Sequence, residues 1–170
     1  MGRSLIVLPA LVLMQGCAAL DPVEAYRAAA RSLEFHLEAV RPRVDLQFPL
    51  DRSALVVGID LGVRNPSSLR LGARGLGGRL HLDSEGASFP LGDLGFPGGF
   101  SLEGGSRRTL GAELRLPYRD LKAAWSLVQD AVLRDRPATW RLEGKANLDL
   151  LGVPFELPLK ASTQTGSARR

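Results

Sequence analysis

Apolar and polar residues alternate along most of this chain with the period of two that a half-buried strand imposes. The clearest run is Val56-Val57-Gly58-Ile59-Asp60-Leu61-Gly62-Val63-Arg64, with Val57, Ile59, Leu61 and Val63 on one face and Gly58, Asp60, Gly62 and Arg64 on the other. Asn65-Pro66 stops it, because proline gives no amide hydrogen to a ladder and restricts the residue before it. This spacing predicts a central strand over 54–65. Upstream, Phe35, Leu37 and Ala39, then Val44, Leu46 and Phe48, alternate on both sides of Pro42. They predict a long first strand at a sheet edge, broken or bulged at the proline, and a turn over 49–53. Downstream, Leu69, Leu71 and Ala73, then Leu80 and Leu82, predict another long strand, with a bulge or bend at Gly77-Gly78. Residues 83–106 predict one or two short strands among loops, with Phe89, Leu91, Leu94, Phe96 and Phe100 covering the end of the core. Leu110, Ala112, Leu114 and Leu116 then alternate with polar neighbours until Pro117. The final hairpin is the strongest strand pattern. Trp140, Leu142, Ala146, Leu148 and Leu150 share a face, Leu151-Gly152-Val153-Pro154 turns, and Phe155, Leu157 and Leu159 return.

Two segments carry the helical period instead. Asp21-Pro22-Val23-Glu24 places a good cap before a proline at the first helical position, and Val23, Tyr26, Ala30 and Leu33 follow at helical spacing. A short helix to about Leu33 is predicted. Asp120 is placed to cap a second, with Leu121, Ala124, Trp125, Val128 and Val132 on one stripe and a stop at Arg134 to Pro137. Six to eight strands with one inserted helix bury their apolar faces most economically as a two-sheet sandwich. At 170 residues, with 45% hydrophobic and 24% charged positions, the chain suits one domain; nineteen glycines and eleven prolines favour turns over a helical bundle. Residues 163–170 read as a disordered tail.

The formal charge is +4, but acids and bases alternate instead of clustering, which argues against a nucleic-acid partner. Cys17 is the one cysteine, so an intrachain disulfide and a cysteine-rich metal site are excluded. It follows Arg3 and an apolar run from Leu5 to Met14 that is too short to span a bilayer. Leu13-Met14-Gln15-Gly16-Cys17 resembles the bacterial lipobox. That reading makes 1–16 a lipoprotein signal peptide and Cys17 the lipidated first residue of the mature protein, held at a membrane of the cell envelope by acyl chains. Ala18 fits delivery to the outer membrane. Residues 17–34 are then the anchor and a helical spacer, and the alternative is a free thiol after a plain signal peptide.

The order of elements resembles the late-embryogenesis-abundant type 2, or WHy (water stress and hypersensitive response), family. The stretches that carry the likeness are Ile59-Asp60-Leu61-Gly62-Val63-Arg64-Asn65-Pro66, Trp140-Arg141-Leu142-Glu143-Gly144, and Val153-Pro154-Phe155, within residues 35–162. Ser67 stands where a second asparagine is frequent in that family. The resemblance implies an all-β immunoglobulin- or fibronectin-III-like sandwich without enzymatic activity, linked to desiccation, cold or osmotic stress. Asn65, Pro66, Gly144, Pro154 and Phe155 are its motif positions, read as structural.

Catalytic chemistry has little to stand on. His36 and His81, the only histidines, each sit between apolar strand residues and are expected to face solvent. There is no Gly-x-Ser-x-Gly elbow, and Gly75-Leu76-Gly77-Gly78 leads into no phosphate-binding helix. Trp125 and Trp140 read as core, and Arg107-Arg108 as a hairpin tip or, less simply, a contact for anionic lipid. The sequence therefore predicts a monomeric, non-catalytic, lipid-anchored envelope protein with no cofactor and no metal. Its alternatives are a lipid-handling module and an adaptor that docks a protein through a sheet edge.

Overall fold

A computed structural model of the protein describes residues 21–166, so Cys17 and the signal segment lie outside the described residues. Among the described residues eight strands form two antiparallel sheets, as the alternation predicts: β1 (Glu34–Asp45), β2 (Ala54–Arg64), β3 (Leu71–Ser84), β4 (Ala87–Phe96), β5 (Phe100–Leu102), β6 (Arg107–Pro117), β7 (Ala138–Leu150) and β8 (Val153–Thr165). The smaller sheet has the order β1-β2-β6. The larger runs β4-β3-β7-β8, with β5 paired to the start of β3. Between them lies one apolar core: Val57, Ile59, Leu61 and Val63 of β2 face Leu80 and Leu82 of β3 and Trp140, Leu142 and Leu148 of β7, all of them buried. Each such side chain contributes roughly 1.5–3 kcal/mol by leaving water, which is why the period-two pattern decides the register.

Helix α1 (Pro22–Arg31) begins as predicted, Asp21 Oδ1 accepting from the Val23 amide at 2.9 Å, and it seats Ala29 and Ala30 in the core. The second predicted helix forms as an irregular insert of 16 residues. It passes from an α-turn (Tyr118–Leu121) through a 3-10 turn (Lys122–Ala124) and another α-turn (Trp125–Val128) to a π-turn (Gln129–Leu133). Asp120 does not cap it. Pro117 stands at that position, and the Tyr118 amide is held by the Ser53 carbonyl at 2.8 Å. The stripe is nevertheless the predicted one, with Leu121, Ala124 and Val128 buried and Trp125 edge-on to Tyr118 at 4.9 Å between ring centres.

Four local expectations are corrected. The irregularity in β1 falls at Glu38, between Leu37 and Ala39, while Pro42 pairs in register with Val57. That extra residue inverts the alternation, so that Val40 and not Ala39 faces the core, while the Glu38 carboxylate lies on the outer face over Gly62. A Cβ on Gly62 would stand 2.1 Å from Glu38 Oε1. Second, Gly77-Gly78 is not a bulge. It pairs regularly with Lys145-Gly144, and the shift in β3 comes earlier, at Arg74. Those glycines are explained by close approach: a Cβ on Gly78 would lie 2.5 Å from the Glu143 carbonyl oxygen, and one on Gly144 2.0 Å from that of Gly77. Third, β1 ends at Asp45, so Leu46 and Phe48 are loop residues; the Ser53 hydroxyl bridges Gln47 N and O at 3.0 and 3.1 Å and turns the chain early. Fourth, β8 runs through Thr163 to Thr165, into the stretch read as tail. Buried Trp140 needs a partner for its indole N–H there, and Thr165 Oγ1 accepts it at 2.7 Å.

These close approaches predict opposite effects from one substitution. Gly144→Ala is expected to cost about 2 kcal/mol or more in urea unfolding, by forcing β3 and β7 apart. Gly95→Ala, where an added Cβ meets nothing within 4 Å, is expected to leave the midpoint unchanged or raise it slightly.

Candidate functional site

Asn65 closes the end of β2 and is wholly buried. Its Nδ2 donates to the carbonyls of Leu69 at 2.7 Å, Glu103 at 3.2 Å and Leu102 at 3.4 Å. Its Oδ1 accepts from the Ser67 amide at 3.1 Å and the Ser67 hydroxyl at 2.7 Å. Its own amide donates to Ser106, and the Gly105 amide donates to Ser67, both at 2.9 Å. The side chain therefore ties the end of β2 in the smaller sheet to the end of β5 in the larger one and to the loop that leads into β3. Pro66 is exposed and sets the corner. The Ser67 hydroxyl completes the amide's shell. Of the other motif positions, Gly144 sits mid-ladder, Pro154 lies near the start of β8 opposite Asp149, and Phe155 packs half-buried against the core.

The outer faces carry charge in pairs. On the smaller sheet, Arg41 grips Asp60 with two hydrogen bonds of 2.6 and 2.7 Å, Arg107 holds Glu38 at 2.5 Å, and Arg115 holds Asp45 at 2.7 Å. Gly58 and Gly62 supply the bare floor across which these side chains reach. On the larger sheet, Arg141 is the hub, bonded to Asp83 at 3.0 Å and to Glu143 at 2.6 Å. Shallow clefts of about 440, 530 and 290 Å³ border it or its partners. Their linings include Arg79, His81, Asp83, Asp93, Glu143 and Lys160. His81 and His36 reach two different clefts on either side of Glu143, and His36 is exposed, with Glu34 at 3.9 Å. Among the described residues no three metal-ligating side chains come together, and every buried side-chain polar atom has a hydrogen-bond partner.

Arginine hydrogen bonds depress the carboxyl pKa values of Glu38, Asp45, Asp60, Asp83, Asp93, Glu143 and Asp149 below their ordinary range, burial opposing the shift only in part. Among them Asp83 is held by Arg141 first and Ser88 second. Those shifts stabilise carboxylates as partners in a surface network, not as proton donors near neutrality. The hub at Arg141 was not singled out in the sequence. Its trace is the alternation Arg141-Leu142-Glu143, which puts acid and base on one face.

One end of the sandwich departs from this polar surface. Leu46, Phe48 and Leu50 of the β1–β2 loop are 61%, 92% and 53% exposed, and Leu133 of the helical insert is 53% exposed.

A scan against protein-family models finds no match to the chain, and a comparison with curated proteins finds none either. Solved structures are similar to it to differing degrees. The solution structure of AT1g01470 from Arabidopsis thaliana is 20% identical, with a TM-score of 0.52, over 79% of this chain and 81% of that one. At2g46140.1, described as a candidate late embryogenesis abundant (LEA) protein, is 20% identical with a TM-score of 0.43, over 85% and 78% of the two chains. A protein from Archaeoglobus fulgidus is 15% identical with a TM-score of 0.44, over 77% and 97%.

Two outcomes follow. Asn65→Ala is expected to cost about 2–4 kcal/mol, and Asn65→Asp at pH 7 at least as much, since its carboxylate would face three carbonyl oxygens; urea denaturation measures both. The depressed carboxyl pKa values give stability that is whole above the ordinary carboxyl range and lost as pH falls through the folded values. The urea midpoint is therefore expected to hold from pH 7 to 5 and decline below about pH 4, less steeply in 1 M salt. Taken together, geometry and likeness make this chain an antiparallel β-sandwich of the kind seen in AT1g01470.

Proposed function

We propose that this protein is a non-catalytic β-sandwich held at a cell envelope by lipid on Cys17, where it shields or holds other molecules, with desiccation or osmotic stress as the setting. The observation that carries the reading is the close coupling of the lipobox-like Leu13-Met14-Gln15-Gly16-Cys17 to the folded domain. Ala18 to Leu20 alone separate the cysteine from the Asp21 cap, and α1 is itself seated in the core through Ala29 and Ala30. A lipidated Cys17 would hold the sandwich close against the bilayer. The outer sheet faces support a non-catalytic role: Glu38, Asp60 and Glu143 are each held by an arginine. The stress setting rests on the sequence likeness described above. The clefts of the larger sheet are lined by charged side chains, a chemistry poorly suited to an acyl chain, which places the lipid-handling alternative second.

Intact mass and membrane fractionation of wild type beside Cys17→Ala test this. The expected result is a mass increase from acyl chains on Cys17 and membrane association that the variant loses. An unmodified, soluble wild type would remove the anchor.

A further inference from the structure

Among the described residues five strands border the two sheets: β1 and β6 in the smaller, β4, β8 and the three-residue β5 in the larger. An edge strand presents unpaired amides and carbonyls, and proteins blunt such edges with prolines and bulges. On the long edges the blunting is systematic, with one exception. β1 carries Pro42 and the bulge at Glu38; β4 carries Pro90 beside a register shift; β8 carries Pro154 and Pro158. The central strands β2, β3 and β7 have no proline. Among the described residues β6 is the one long bordering strand with neither a bulge nor an interior proline, Pro117 being its last residue; β5, which also has neither, is only Phe100–Leu102.

Its inward side chains are also the least covered. Leu37 and Val40 of β1, Leu91 and Leu94 of β4, and Leu157 and Leu159 of β8 are buried, with Phe35 and Val44 of β1 half-buried, whereas on β6 Leu116 alone is buried and Leu110, Ala112 and Leu114 are half-buried. The seam toward β4 is closed at the other end of β6, where Gly92 sits beneath Leu114 and Leu116. Toward the start of the strand, Arg108 shares the side of Leu110 and Ala112 and is in no ion pair among the described residues, while its neighbour Arg107 is committed to Glu38. An uncompensated cation at the mouth of an open apolar edge rejects an apolar strand and admits an acidic one.

We infer that the β6 edge over Arg107–Ala112 is a docking site for an extended segment of a partner protein, which adds a fourth strand to the smaller sheet. Every second side chain of that segment is apolar, covering Leu110 and Ala112, and an acidic residue on the same face meets Arg108. Main-chain hydrogen bonds supply attachment, and the alternation with its acid supplies selectivity. The inference stands whether or not Cys17 carries lipid.

The probe is the peptide Glu-Thr-Val-Thr-Val-Thr-Val-Thr-Glu, acidic at both ends so that either strand direction meets Arg108, added to the full chain in detergent micelles. Hydrogen exchange is expected to slow in β6, and a peptide with Lys for both Glu residues is expected to bind about tenfold more weakly. Arg108→Glu should reverse that preference. Neighbouring residues of an edge strand point their N–H groups alternately inward and outward, so one of Gly111→Pro and Ala112→Pro blocks only the open edge. That variant should keep the wild-type urea midpoint and lose the peptide. Exchange unchanged in β6, protection on another edge, or equal binding of the Glu and Lys peptides would overturn the inference. So would a concentration-dependent dimer that protects β6 without peptide, which would assign the edge to a second copy of this chain.

Discussion

One buried amide joins the two sheets at the closed end of the sandwich. Asn65 brings a donor and an acceptor into an apolar interior, which is costly unless both are matched. The chain matches them with backbone groups from 65–69 and 102–106, so neither loop can move without leaving a polar group unpaired. β2, the most buried strand of the smaller sheet, thus ends at a point fixed relative to β3 and β5. The register of the rest follows, because the strands are antiparallel and each apolar set has one face to occupy.

The second constraint is backbone proximity. The Gly78–Gly144 pair lets β3 and β7 approach with no side chain between them, and Gly62 clears a path for Glu38 across the opposite sheet. Glycine is used here for the absence of a side chain, and the outward result is a surface of satisfied ion pairs. Individually such exposed pairs contribute little. Between them the apolar β1–β2 tip, the β7–β8 turn with exposed Leu151 and Val153, and the β6 edge stay chemically open.

Much of the fold was legible in the sequence because strand period and hydrophobic burial are the same constraint seen twice. β2, β6 and the β7–β8 hairpin follow directly from alternation. Misplaced features share a cause: they depend on contacts distant in sequence. Glycines at 77–78 resemble a bulge until β7 is set beside them. Thr165 resembles a tail until Trp140 needs an acceptor, and Leu46 and Phe48 continue an alternation that the Ser53 hydroxyl interrupts. Asn65 was legible as a corner, but not as the junction of three carbonyls, since two of those belong to residues nearly forty positions away. The open β6 edge is written in the placement of prolines, which has meaning only once the edges are known.

Native-state hydrogen exchange at the corner tests the central claim most directly. If Asn65 locks the two sheets into one cooperative unit, the Asn65 amide, bonded to Ser106, and the Gly105 amide, bonded to Ser67, should exchange only through global unfolding, as slowly as the amides of β2 and β7. Exchange at those two positions orders of magnitude faster than in the core strands would show a corner that opens on its own, and would contradict the account.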